Sequence, residues 1–169
     1  MIYFGFFVKR PDKRMALVYL GMGTNLGAKE ENLNRAKELI LLKIGDVLNI
    51  SSNYSSKAWG FESENDFLNN VLLIHTLLSP ENLLEKLKEI EVKMGRKFNT
   101  HHTYTDRIID IDILFYESRI VRGKNLIIPH PYIAERDFVL YPLAEIAPEM
   151  IHPVTNKTIL QMKNELLNA

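Results

Sequence analysis

The sequence predicts an α+β fold in which helices flank one antiparallel sheet. Segments rich in β-branched and aromatic residues alternate with segments of helical periodicity. The alternation follows the order β-α-β-β-α-β, which is the ferredoxin-like arrangement. A length of 169 residues suits one domain of ordinary size. We therefore expect a single domain at 15–169, preceded by an N-terminal extension at 1–14.

Each element of this core has a signal in the sequence. The predicted elements are, in order, strand Met15–Gly21, helix Glu30–Lys43, strand Val47–Tyr54, strand Phe67–Leu77, a helix from Pro80 to Gly95, and strand Ile108–Tyr116. Gly45-Asp46 is expected to end the first helix. Ser79-Pro80-Glu81 begins the second, because serine caps free amides, proline needs no amide partner, and glutamate suits the positive helix end. Ile120–Val121 and Leu126–Ile128 then predict a hairpin, and short helices separated by prolines follow from Pro129.

Composition excludes several classes of function. The 21 basic and 21 acidic residues balance, which argues against a broad basic surface for nucleic acid or anionic membranes. The absence of cysteine excludes disulfides, cysteine-ligated metals and thiol nucleophiles. The apolar run at 2–8 is far shorter than the roughly 20 residues that span a bilayer. No basic stretch precedes that run, as one would in a signal peptide, so we expect a cytoplasmic protein.

Two aspartates are the main candidates for chemistry. Asp110 and Asp112 lie in the last core strand, where a period of two puts both carboxylates on one face. The residues expected to fill the opposite face are Ile109, Ile111, Ile113 and Phe115. Carboxylates about 6–7 Å apart along a strand repel unless a cation lies between them. Mg²⁺ binds one or two carboxylates together with phosphates and water, so the pair predicts a magnesium site; a solvated strand face is the alternative.

The polar segment that precedes this strand favours the magnesium interpretation. The twelve residues from Arg96 to Arg107 are predicted to form a loop with a local net charge of +2. Phosphoryl transfer uses metals to bridge phosphates and arginines to neutralise charge. Surface salt bridges are the alternative for either arginine alone. A zinc site at His101-His102 is the weaker hypothesis, because adjacent histidines do not converge well on one metal.

Several motifs in one order resemble the 6-hydroxymethyl-7,8-dihydropterin pyrophosphokinase family of folate biosynthesis. The most specific is R-I-I-D-I-D-I-L at 107–114, and I-E-V-K-M-G-R at 90–96 resembles the family's helix end. The other matches are G-T-N-L-G at 23–27, W-G at 59–60, D-F-L-N at 66–69, P-H-P at 129–131, R-D-F at 136–138 and P-L-A-E-I-A-P at 142–148. The resemblance therefore extends over nearly the whole chain.

The resemblance implies that the pyrophosphoryl group of ATP passes intact to the pterin hydroxymethyl oxygen while AMP leaves. It implies that Asp110 and Asp112 hold two Mg²⁺ ions and that Arg96 and Arg107 share in catalysis. The ATP-binding residues that it implies are Glu91, Arg96, Arg107, Ile113, His130 and Arg136. The pterin-binding residues that it implies are Asn25, Ser56, Ala58, Trp59, Phe67, Asn69 and Phe138. ATP and the pterin would be the partners of a monomer that binds neither nucleic acid nor membranes.

The chain departs from the family pattern beside the signature arginine. Thr105-Asp106 stands where the family commonly has Gly-Pro, and an acid there is expected to weaken the field of Arg107. Tyr104 replaces a common tryptophan, and Lys97 is followed by neutral residues where a second arginine is common.

Two other classes of function stay open. Another Mg²⁺-dependent nucleotidyl enzyme on a ferredoxin-like sheet would release pyrophosphate rather than AMP. A non-enzymatic binding module, such as an RNA-recognition domain, is disfavoured because the chain lacks both the basic excess and the Lys/Arg-Gly-Phe aromatic strand of such domains.

Overall fold

The computed structural model describes residues 15–96 and 105–168, and its elements follow the predicted order. The strands are β1 (Ala16–Thr24), β2 (Gly45–Ile50), β3 (Tyr54–Ser56), β4 (Phe67–Thr76), β5 (Asp110–Tyr116), β6 (Val121–Arg122) and β7 (Ile127–Ile128). The helices are α1 (Lys29–Lys43), α2 (Pro80–Lys93), α3 (Asp137–Ile146) and α4 (Ile159–Leu167), with a 3-10 turn at Ile133–Glu135. The predicted extension at 1–14 and the loop residues 97–104, with the His101-His102 pair, lie outside the described residues.

The main sheet is antiparallel at every described pairing. Its strand order is β2-β4-β1-β5, and β3 also pairs with β4. Strand β1 lies at the centre, between β4 on one side and β5 on the other, and α1 and α2 connect the core strands. The prediction of an α+β, ferredoxin-like core is confirmed.

Helices cover both faces of the sheet, so the chain has a core on each side. The α1–α2 side is built mainly from Val18, Leu20, Leu33, Ile40, Leu83 and Leu87. The α3–α4 side is built mainly from Leu114, Phe115, Leu140, Leu143, Ile159 and Met162. Burying each such side chain contributes about 1.5–3 kcal/mol, which holds both layers to the sheet. Within the described ranges, no helix is both long and apolar enough to cross a membrane.

The capping prediction for α2 is confirmed, whereas two boundary predictions in the first half are wrong. The Ser79 side chain accepts a hydrogen bond from the Asn82 amide at 3.3 Å. Gly45 begins β2 instead of ending α1; a Cβ there would lie 2.0 Å from the carbonyl oxygen of His75, so this glycine permits close strand pairing. The strand predicted at 47–54 is split, because Ser51 bonds with Val71 through both its backbone and its hydroxyl.

Two predictions in the second half are also corrected. Phe115 lies on the face opposite to the expected one, because the β1–β5 register shifts between Tyr19 and Leu20. Beyond this bulge the alternation reverses, so Phe115 packs on the α3–α4 side while the isoleucines of β5 pack on the α1–α2 side. Pro142, which was expected to separate helices, lies inside α3.

Candidate active site

The candidate site is a cavity on the sheet face that carries the two aspartates. Asp110 on β5, Gly23 on β1 and Asn69 on β4 are direct cross-strand partners, and Asp112 faces Gly21 in the next row. A Cβ on Gly23 would come within 2.8 Å of the Asn69 side-chain oxygen. The glycines of the central strand therefore leave an open floor between the carboxylates and the amide.

One end of the cavity is a chain of alternating charges. The Arg96 guanidinium donates to both Asp110 and Glu91, with 2.6 Å between its Nη1 and Glu91 Oε1. Lys88 Nζ lies 2.9 Å from the other Glu91 oxygen, and Arg107 Nε lies 3.4 Å from Asp110 Oδ2. The carboxylates thus hold three basic side chains at the cavity.

The end of α2 explains how Arg96 reaches this place. Gly95 has φ +99, a conformation that disfavours any side chain, although a Cβ there would meet nothing within 4 Å. The Gly95 amide donates to the Val92 carbonyl and the Arg96 amide to the Glu91 carbonyl, which are the two bonds of a Schellman motif. The Glu91 carboxylate also accepts from the Ile111 amide at 2.7 Å. The glycine therefore turns the chain at the helix end, and Glu91 joins that end to β5.

The second aspartate lies between an imidazole and a guanidinium group. Asp112 Oδ2 is 3.8 Å from His130 Nε2 and 3.9 Å from Arg136 Nη1. The His130 amide donates to the Leu114 carbonyl, which holds the segment after β7 against β5. The Arg136 side chain is only 8% exposed, whereas that of Asp112 is 37% exposed. Asp112 is thus the more open of the two aspartates.

The two aspartates differ in acidity because their surroundings differ. Burial raises the pKa of Asp110, but the charges of the neighbouring arginines and lysine outweigh it and hold the pKa below its usual value. Burial and the charge of Asp110 raise the pKa of Asp112. Burial lowers the pKa of His130 by more than Asp112 raises it. Asp110 is therefore kept ionised by cations already present, and Asp112 is the carboxylate that an added cation would stabilise more.

The other end of the cavity is aromatic. Phe67 begins β4, and Phe138 is the second residue of α3; both line the cavity with Trp59. The Arg107 guanidinium carbon lies 5.4 Å from the centre of the Phe67 ring. The Arg136 carbon lies 4.2 Å from the Trp59 ring and 5.7 Å from the Phe138 ring. The arginines thus connect the aromatic end to the charged end, because ring faces attract cations.

A buried amide fixes the floor near the aromatic rings. The Asn69 Nδ2 donates to Ser56 Oγ at 3.0 Å and to the Tyr54 carbonyl at 3.2 Å. These bonds leave the amide oxygen next to the empty side-chain position of Gly23. The Asn69 amide thus finds its partners on and beside β3, as a buried polar group must.

The structure brings most of the predicted site residues together. Those that line the cavity are Ser56, Trp59, Phe67, Asn69, Arg96, Arg107, Asp110, Asp112, His130, Arg136 and Phe138. Four others lie outside its wall: Asn25, Ala58, Glu91 and Ile113. Ile113 is 4% exposed in the core beneath α1 and α2, and Glu91 is fully buried behind Arg96. The Asn25 side chain is turned toward Asp106 and Arg107.

Sequence reasoning missed several residues of the wall, among them Gly21, Gly23 and Lys88. Gly21 and Gly23 form the floor. Two glycines at positions i and i+2 of a strand signal a close approach on one face, and that signal was available. Lys88 was also missed; its spacing of three residues before Glu91 predicts an ion pair on a helix.

Comparison with known proteins decides the family. The sequence profile of the family described as 7,8-dihydro-6-hydroxymethylpterin-pyrophosphokinase (HPPK) matches residues 19–148, which include every residue of the cavity wall. The chain belongs to the HPPK family. A relative from Aquifex aeolicus, named as 2-amino-4-hydroxy-6-hydroxymethyldihydropteridine pyrophosphokinase, is 44% identical over 151 residues, 89% of this chain and 92% of its own. A relative of the same name from Porphyromonas gingivalis is 40% identical over 141 residues, 82% of this chain and 95% of its own.

Solved structures agree with this fold. The HPPK-DHPS protein of Plasmodium falciparum, crystallised with pteroate, has a TM-score of 0.76 to this HPPK chain at 18% identity. The likeness covers 91% of this chain and 45% of that one, so this HPPK chain spans less than half the length of the Plasmodium protein. At this identity the likeness shows the fold, and the family membership rests on the sequence.

Proposed function

We propose that the two ends of the cavity divide the two substrates of the HPPK reaction between them. That reaction, in folate biosynthesis, transfers pyrophosphate from ATP to 6-hydroxymethyl-7,8-dihydropterin, and family membership assigns it to this chain. The observation that carries the residue assignment is the shared floor: the Asp110 carboxylate and the Asn69 amide face each other across Gly23. A pterin over the amide would therefore present its hydroxymethyl arm to phosphates at the carboxylates.

The pterin belongs at the aromatic end. A flat bicyclic ring with amide edges binds best between aromatic faces with a few polar partners. Phe67 and Phe138 supply the faces, and the fixed Asn69 amide supplies an oriented polar group. Ser56 and Trp59 lie on the segment beside this end and complete its wall.

The triphosphate belongs at the charged end. Arg96 and Arg107 are bound to Asp110, so phosphate oxygens must compete with that carboxylate for the guanidinium groups. His130 and Arg136 lie beside Asp112 and would contact the nucleotide or the transferred group. Positioning and neutralisation of charge are what phosphoryl transfer mainly requires of a protein.

The donor set at this end fits Mg²⁺. Asp110 and Asp112 offer hard carboxylate oxygens on one face, and no group of three or more His, Cys, Asp or Glu that could enclose a metal occurs among the described residues. Mg²⁺ commonly binds one or two carboxylates and takes its other ligands from substrate phosphates and water. Bound there, two Mg²⁺ ions would neutralise the phosphates and polarise the transferred group.

The assignment is tested by separating the nucleotides after incubation with ATP, Mg²⁺ and the reduced hydroxymethylpterin. We expect one AMP per pterin diphosphate and no free pyrophosphate, with no AMP when the pterin is omitted. Release of inorganic pyrophosphate would instead support a nucleotidyl enzyme. Repeating the assay with EDTA tests the metal, and full turnover in EDTA would exclude it.

We also propose that the domain predicted at 15–169 acts as a monomer in the cytoplasm. Sedimentation velocity at assay concentration checks the monomer, and cell fractionation checks the location.

A further inference from the structure

The Asp106 side chain joins three segments that are distant in sequence. Its Oδ1 accepts from Ser63 Oγ at 2.6 Å and from Asn25 Nδ2 at 2.7 Å. Its Oδ2 accepts from Asn65 Nδ2 at 2.7 Å. These three neutral donors hold the pKa of Asp106 below its usual value, so the group is ionised at neutral pH.

The Asp106 carboxylate is hydrogen-bonded to residues other than Arg107, although the charges of Asp106 and Arg107 still interact. An acid beside Arg107 was expected to weaken the field that the arginine offers to phosphate. Asp106 does not line the cavity, and its oxygens point to Ser63, Asn65 and Asn25 instead.

Asn25 extends the connection to the main chain of the signature arginine. The side-chain oxygen of Asn25 accepts from the backbone amide of Arg107 at 2.8 Å. The backbone amide of Asn25 donates to the Arg107 carbonyl at 3.2 Å. Asn25 directly follows β1, two residues beyond the floor glycine Gly23. Asp106 and Asn25 therefore fix the start of the signature segment against the floor of the cavity.

The other two partners of Asp106, Ser63 and Asn65, belong to the segment 61–66, which leads into Phe67. Phe61 on this segment meets the Phe67 ring edge-to-face at 6.2 Å, and the Arg107 guanidinium carbon lies 6.0 Å from the Phe61 ring. Lys29 Nζ adds a bond to the Asp66 carbonyl at 2.8 Å. The carboxylate is thus bonded to the segment whose Phe61 packs against a wall of the aromatic end.

We propose that Asp106 is a positioning residue that preorganises the aromatic end of the cavity for the pterin. The proposal rests on the proposed function, and it adds a role for a residue where this chain departs from its family. Asp106 accepts hydrogen bonds on both of its carboxylate oxygens. An asparagine at this position would have a donor NH2 group in place of one oxygen. That group would face either the Asn65 amide or the Ser63 and Asn25 donors. Binding by a preformed site avoids the entropy of ordering 61–66 around each pterin.

The test compares Asp106→Asn and Asp106→Ala with Glu64→Gln, an exposed acid of the same segment, as control. We expect Asp106→Ala to raise the KM for the pterin about tenfold, the size of one lost charge-assisted hydrogen bond. The KM for ATP and kcat should stay within about threefold, and Glu64→Gln should match the parent. The pterin KM of Asp106→Asn should fall between those of the parent and Asp106→Ala, because the introduced amide keeps one acceptor oxygen.

Two further results separate positioning from mere stability. Asn65→Ala added to Asp106→Ala should cause no further rise in the pterin KM, since both changes remove the same bond between the two side chains. Amide hydrogen exchange without substrates should speed up at 61–66 in Asp106→Ala, and this readout needs no activity. A pterin KM within twofold of the parent, an equal rise for ATP, or unchanged exchange at 61–66 would each overturn the proposal. Loss of the reaction in the parent protein would instead refute the proposed function.

Discussion

The two ends of the cavity are held in place by different forces. At the charged end, basic side chains are bound by carboxylates of the same site, as Arg96 is by Glu91 and Asp110. At the aromatic end, the neutral Asn69 amide is held by a hydroxyl and a carbonyl, and the Phe61 ring packs against the Phe67 ring. Charge pairs are exchanged when a stronger anion arrives, whereas a satisfied amide network stays as it is.

This difference indicates how each end meets its substrate. Under the proposed assignment, phosphates at the charged end would compete with the carboxylates that already pair its basic groups. A flat ligand at the aromatic end would meet an amide that is already held in place. Substitutions at the charged end should therefore lower kcat. Substitutions at the aromatic end should weaken binding of the pterin alone.

The largest effect is expected from Asp112→Ala at the charged end. Removing the more open carboxylate takes away charge stabilisation in the transfer step, and kcat should fall about 10³-fold. Thermal unfolding should show an intact fold, and Asp46→Ala on the exposed edge strand β2 is the control. Activity within tenfold of the parent would contradict the role of Asp112.

Glu91→Ala tests whether the charged end depends on a buried carboxylate. Glu91 is fully buried with bonds to Arg96, Lys88 and the Ile111 amide. Loss of the Glu91 carboxylate should lower the free energy of unfolding, measured in urea, by about 3 kcal/mol. The reason is that the buried Arg96 guanidinium and the Ile111 amide would lose this acceptor. Glu89→Ala, on the same helix with a half-exposed ion pair, should cost far less than Glu91→Ala. Equal losses for the two variants would show that burial of Glu91 does not matter.

Phe138→Ala tests whether the aromatic end binds the pterin. Loss of the ring should weaken pterin binding about tenfold, because stacking and apolar contact are lost together. ATP binding should change by less than about threefold. Calorimetric titration of each ligand measures both, with Tyr141→Ala, whose ring faces Lys163, as the control on the same helix. Equal losses for the two ligands would remove the distinction between the ends.

The smallest effect is expected at Glu145, which joins α3 to the segment before β3. Its carboxylate accepts from the Ser52 amide and hydroxyl and from the Tyr54 hydroxyl at 2.9–3.1 Å. Burial raises the pKa of Glu145, but these hydrogen bonds outweigh it and lower the pKa below its usual value. Such a group stabilises the fold above its unfolded pKa, and the contribution is lost as the pH falls through the folded pKa.

Because solvent screens this exposed carboxylate, Glu145→Gln should cost only about 0.5 kcal/mol near pH 7, or about 1–2 °C in Tm. The difference from the parent should shrink below about pH 4.3 and disappear at still lower pH. Thermal unfolding across this range measures it, with the exposed Glu149→Gln as control. A difference that does not change with pH would show that the charge of Glu145 is not involved.

Much of the fold could be predicted because local signals agreed with one another. Ser79 caps α2 as expected, and the alternation at 110–112 put both aspartates on one face. The errors at Gly45 and Phe115 have one cause. Each is decided by the neighbouring strand, through a close approach to His75 in the first case and a register shift against Tyr19 in the second.

The site divides in the same way. The sequence by itself determined the chemical groups at the two ends: the paired aspartates, the arginines and the aromatic residues. Only the tertiary structure decided which residues of β4 and β5 face Gly21 and Gly23, and that Asp106 is bonded to Ser63, Asn65 and Asn25. The physical reason is that these roles are set by the pairing register and by hydrogen-bond donors 41 to 81 residues away in the chain, which no local pattern specifies.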